Sequence, residues 1–222
     1  MNNEIIVPPD AVISHGQHSS YGAGTCALEL VDYMDRSRRG VAVASTDILT
    51  DAPACVCPTV RTFVVSWNDS LPTDTDRQRL LGPLLPLMLD TAAGTDAQVA
   101  RSWMALDWLV RVHAVAWLYL AGLTEHAQAL RTMPAIDSTE SATAGQAAID
   151  AARDAAGDAA RAAAGYAARA AAWDAAWDAA RAAARAAAGD ADAARDALQI
   201  TVAELQVSAQ ELVRKMCSVG RE

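Results

Sequence analysis

The chain has 222 residues, 52% of them hydrophobic by type, and a formal net charge of −9, enough length for one domain with an appendage or for two small domains. Residues 1–145 hold 9 basic against 16 acidic side chains, and residues 146–222 hold 9 against 11. Neither part is basic, which argues against duplex nucleic acid or an anionic membrane surface as the main partner.

The first residues carry no basic leader and no long apolar run, and no stretch reaches 18 apolar residues without charge. Neither a signal peptide nor a transmembrane helix is expected. Cys26, Cys55, Cys57 and Cys217 then read as reduced thiols, and the cytoplasm as the location.

Residues 1–24 are broken by Pro8, Pro9, Gly16, Gly22 and Gly24, with room for a very short strand at Ile5–Val7. A helix is predicted from Thr25 to Arg36, facing Leu28, Val31 and Tyr33 or Met34 inward. A loop follows, with an extended piece at Val41–Val43. Pro58 opens the next helix, to Asn68. Thr73 or Thr75 caps another that ends before Gly82–Pro83, and a short proline-bounded helix reaches Leu89. The longest helix of this part runs from Thr95 to Ala121, with Val99, Trp103, Leu106, Val110, His113 or Ala114, and Trp117 on one stripe. A short helix spans Thr124–Arg131, and residues 133–145 read as a linker.

From Ala151 a four-residue repeat begins. Of the 51 residues from Ala147 to Ala197, 30 are alanine, which has the highest helix propensity. A period of four overshoots the helical turn by roughly 40° per repeat, so the alanine stripe winds around the helix. One straight partner cannot follow it. Trp173 and Trp177, four residues apart, make the bulky apolar patch of the repeat, and Gly189–Asp190 marks its predicted end. Beyond it Leu198, Val202, Leu205, Ala209, Leu212 and Met216 are spaced as a heptad seam suited to self-association.

The fold expected is all-α: a compact helical head over residues 1–132, the linker 133–145, and an alanine-rich helical tail over 146–222 with its seam at 198–216. The tail would either fold back as a hairpin or join copies into a homo-oligomer.

Residues that could carry chemistry cluster early. His15, His18, Cys26, Glu29, Cys55 and Cys57 offer ligand types suited to zinc. Their spacing matches no strong zinc signature, and cysteines buried as small apolar side chains account for the same pattern. Trp103, Trp108 and Trp117 lie on one predicted helix, where they could line a small-ligand pocket or fill a core. No glycine-rich phosphate loop, paired-carboxylate motif or Ser–His–Asp signature appears.

Cys26-Ala-Leu-Glu29, Asp51-Ala-Pro-Ala-Cys55 with Pro58, Asn68-Asp-Ser-Leu-Pro72 with Asp76 and Arg77, and Asp107-Trp-Leu-Val-Arg111 through Leu123 form a distinctive set. With them the head resembles a loose group of uncharacterised proteins from actinobacteria and their phages, which join such a head to an alanine-rich tail. The resemblance covers most of residues 13–135 and implies no activity. It implies that the head performs the specific task, and that Cys26, Glu29 and Cys55 meet in one place. The leading reading is a non-enzymatic protein that binds another protein or itself, through Trp173, Trp177 and the seam. The alternatives are a metal-dependent site on the early His and Cys residues, and a ligand pocket between the tryptophans.

Overall fold

The computed structural model describes residues 11–92, 94–171 and 177–221, with side chains described outside 159–195. Nine α-helices follow in order among these residues: α1 (Ala27–Arg38), α2 (Pro58–Ser70), α3 (Asp74–Leu81), α4 (Leu85–Met88), α5 (Thr95–Trp108), α6 (Val115–Leu120), α7 (Thr124–Thr132), α8 (Thr139–Ala171) and α9 (Trp177–Ser218). A π-helical stretch, Leu109–Ala114, joins α5 to α6. No strand occurs among the described residues, and an isolated parallel bridge pairs Ile13 with Thr25. The all-α class expected from the sequence is what the chain forms. Ile5–Val7 and Trp173 lie outside the described residues, and the Trp177 side chain is not described.

The chain divides into two compact units, Met1–Ala105 with Val207–Glu222, and Leu106–Gln206. In the first, α1 packs on α2 and α4. Leu28, Leu30 and Val31 of α1, Val60 and Val64 of α2, and Met88 of α4 are fully buried. Thr73 caps α3 by accepting the Asp76 N–H at 3.1 Å. Val213, Met216 and Cys217 of α9 are buried as well. Gln210 donates to the Leu80 carbonyl at 2.9 Å, and Arg221 to the Leu87 carbonyl at 2.8 Å.

In the second unit α7 packs against α6 and α8. Its core is Val115, Leu118, Ala127, Leu130 and Ala152, with Ile149 and Met133 packed at the edge. Ile136, buried, donates its N–H to the Asp107 carboxylate at 2.8 Å.

Four expectations need correction. Helix α8 starts at Thr139, and residues 133–138 are a turn between α7 and α8. Ser138 and Ser141 cap that helix reciprocally, and Ile136 is drawn into the core, so 133–145 does not separate a head from a tail. Helix α9 runs unbroken through Gly189 and Asp190. Alanine on both sides propagates the helix at no side-chain entropy cost, which offsets the roughly 1 kcal/mol that one glycine costs.

The heptad seam is divided. Leu198 and Val202 are 42% and 36% exposed, whereas Leu205, Leu212 and Met216 are buried within the chain. Last, the expected stripe on the 95–121 helix is interrupted. Val99 and Leu106, ahead of the π stretch, are exposed, while Val115 and Leu118, after it, are buried.

Candidate functional site

A buried polar cluster of the first unit surrounds the N-terminus of α1. The loop before it is tied down by Ser14 N–H to the Thr25 carbonyl at 2.7 Å and by the Thr25 hydroxyl to the Val12 carbonyl at 3.0 Å. Cys26 is the N-cap, and Glu29 sits three residues on, where its carboxylate accepts the Cys26 N–H at 2.7 Å. A carboxylate is favoured there by the unpaired N–H groups and the positive end of the helix. Glu29 is 1% exposed. Its oxygens also accept the His18 N–H at 2.9 Å and meet the His18 Nδ1 at 2.8 Å. Gly24, at φ 131°, makes this possible: a Cβ there would lie 2.7 Å from the His18 ring.

Helix α2 closes the cluster with Asn68, 2% exposed. Its amide donates to the Ser14 carbonyl at 3.1 Å and to the Asp69 carboxylate at 3.0 Å. Asp69 in turn accepts the Gly16 N–H at 3.0 Å. Arg77, also buried, donates to the Asn68 carbonyl at 2.9 Å and the Asp74 carboxylate at 2.7 Å, and to the Leu71 carbonyl. A cleft of about 20 Å³ remains between Gly16, Gln17, Cys26, Asp51, Asn68 and Asp69. That volume holds about one water molecule. Burial first, and the Glu29 charge with it, push the Cys26 thiol up to about 12. At neutral pH burial holds the thiol in its protonated form.

The six residues expected to bind zinc do not converge. His18, Cys26 and Glu29 come together as a helix-capping network. His15 is exposed on the loop. Cys55 is half-buried, its thiol raised by burial and by the Asp35 charge. Cys57, at the N-terminus of α2, gives its N–H to the Thr91 hydroxyl at 3.0 Å. Among the described residues no three His, Cys, Asp or Glu side chains are grouped to hold a metal ion. The six residues are thus not gathered as one ligand set among the described residues; His18, Cys26 and Glu29 meet in the cap of α1. Sequence reasoning passed over Asn68 as an ordinary helix end, and no local signal marked Arg101, which is fully buried on α5.

In the second unit Trp108 and Trp117 meet around His113. The Trp117 indole N–H donates to the His113 Nε2 at 3.1 Å, which places the imidazole proton on Nδ1. The His113 ring lies 5.3 Å from Trp108 and 5.9 Å, edge-on, from Trp117. Trp103 belongs to the first unit. Arg111 pairs with Asp107 at 3.1 Å, and its buried Nε has no hydrogen-bond partner among the described residues.

Desolvation lowers the His113 pKa below its ordinary 6.5. The folded state then binds fewer protons than the unfolded chain. The stabilising contribution is complete above pH 6.5 and is lost as pH falls through the folded pKa. Tryptophan fluorescence should change with a midpoint below 6.5. His113→Gln should flatten both that change and the fall in melting temperature between about pH 7 and pH 5. A wild-type melting temperature that rises on acidification would contradict the assignment.

No protein-family model, curated protein or solved structure matches the chain. No helix among the described residues is long and apolar enough to cross a membrane.

Proposed function

We propose that the chain is a non-enzymatic interaction protein whose working surface lies on the helical stretch from Leu106 to Leu120, and that its partner is another protein. One observation carries this reading. Leu106, Leu109, Val112, Tyr119 and Leu120 stand 36–45% exposed along this one stretch. Scattered exposed leucines are ordinary, but five large apolar side chains within fifteen residues form the kind of patch that partners cover. The π stretch lies in their midst, and such wide turns recur where a helix presents side chains for binding. The cleft at α1 supports the same reading, since it admits about one water and its thiol stays protonated. On the resemblance noted in the sequence, the setting would be an actinobacterium or one of its phages. Exposed Leu198 and Val202 would extend the contact or join two copies.

The test pairs Leu109→Asp with Val112→Asp in the full chain. Both residues are exposed, so the melting temperature should move by no more than about 2–4 °C. Capture of specific proteins from an actinobacterial extract by the wild-type chain should be lost in the double variant. Capture of the same proteins by both chains, together with unchanged light scattering, would sink the proposal.

A further inference from the structure

The stretch that carries the exposed apolar patch is built around one hydrogen bond that acid must break. Leu109, His113, Trp117 and Leu120 follow at spacings of four, four and three, which sets them on one face of the π stretch and α6. Leu109 and Leu120 are exposed, and His113 and Trp117 are half-buried between them. The Trp117 indole N–H donates to the His113 Nε2 at 3.1 Å, and the imidazole also lies against Trp108, its ring 5.3 Å away. An indole nitrogen donates and never accepts. The bond therefore lasts only while Nε2 keeps its lone pair. A proton there sets two N–H groups against each other, and they must part.

We propose that His113 is an acid-sensitive latch on the docking surface: neutral, it anchors the Trp117 indole; protonated, it lets the indole go and the face from Leu109 to Leu120 loosens. This regulation rests on the reading of that stretch as a docking surface. The charges around the ring do not compensate for a proton on it. On its own stretch Arg111 pairs with Asp107, at the end of α5, at 3.1 Å, and the same carboxylate accepts the Ile136 N–H at 2.8 Å. Helix α6 carries no charged side chain, and its Tyr119 hydroxyl donates to Gln128 at 2.9 Å. Helix α7, packed against the π stretch, brings Glu125, His126 and Arg131, of which Glu125 and Arg131 are exposed. Among the described residues none of these hydrogen-bonds to His113, whose partner is the Trp117 indole. Burial without a counter-charge disfavours the imidazolium and holds the His113 pKa below 6.5. A partner seated on Leu109 and Leu120 would deepen that burial and favour the neutral, latched ring.

The test needs no partner, so the latch fails separately from the docking reading, which the Leu109→Asp and Val112→Asp pair decides. Nitrogen-15 spectra of the full chain, recorded from about pH 8 to about pH 5, follow the His113 ring nitrogens and the Trp117 indole together. At neutral pH the His113 proton should sit on Nδ1. On acidification the indole N–H resonance should move with the His113 midpoint and lose its protection against exchange with water, and the amides of Leu109–Leu120 should lose protection with it. In His113→Gln the side-chain carbonyl accepts the same bond at every pH, so the indole should stay fixed and protected. His126→Gln should leave the wild-type curve unchanged. A neutral His113 with its proton on Nε2 would overturn the proposal. So would an indole or amides that keep their protection through the His113 midpoint, or an indole that tracks His126 instead. The wild-type spectra decide the matter even where a variant fails to fold.

Discussion

Replacing Arg101 with leucine should destabilise the first unit by about 3–5 kcal/mol, because several hydrogen bonds from a charged donor, each worth about 1.5–3 kcal/mol, are lost at once. The side chain is fully buried and donates to three main-chain carbonyls, those of Thr91, Met216 and Val219. Leucine would fill much of the space and take this donor from the Thr91 and Val219 carbonyls, while the Met216 carbonyl keeps the Val219 N–H at 3.4 Å; an acceptor stranded away from water costs about 1–3 kcal/mol. Arg101→Lys should recover little, because an ammonium cannot reach three carbonyls from one planar fork. Urea unfolding of the full chain measures this directly. A leucine variant within about 1 kcal/mol of wild type would show that the guanidinium is not what joins α9 to the unit.

Ending the chain at Gln206 should have the larger effect. It removes Leu212, Val213, Met216 and Cys217 from the core and takes away two of the three Arg101 acceptors. A buried side chain of this size contributes roughly 1.5–3 kcal/mol. Four of them rival the whole stability of a small domain, about 5–15 kcal/mol. The shortened chain should lose the cooperative transition of residues 11–105 and the hydrogen-exchange protection of Val60, Val64 and Leu81. Protection that survives there would mean that the unit folds without its C-terminal segment. A fragment cut near residue 132 lacks the same side chains and should fare no better.

The candidate site was legible in part. Cys26 and Glu29, three apart at a predicted helix start, do share a capping network, and His18 joins them across a loop. What was read as a ligand set is a buried carboxylate satisfied by two N–H groups and an imidazole. Zinc spacing and a helix cap draw on the same residue types, so composition did not separate them. Asn68 and Asp69 close the site through contacts across more than 50 positions, which no local pattern marks.

Local physics settled what depends on near neighbours. Alanine propensity, Pro58, the Thr73 cap and the 3–4 spacing of apolar residues determined that the chain is helical and where most helices begin. The partners of each apolar face were decided only in three dimensions. The sequence of Leu205 to Met216 carries a heptad seam, but a seam states only that a face must be covered, not by what. The structure covers its C-terminal part within the chain because residues 207–222 return to the first unit and Arg101 holds their carbonyls. The alanine helix continues through Gly189 because propensity summed over many residues outweighs one glycine. On the 95–121 stretch the burial falls to Val115 and Leu118, which pack with Ala127 and Leu130 of α7, and that partner lies outside any helical window.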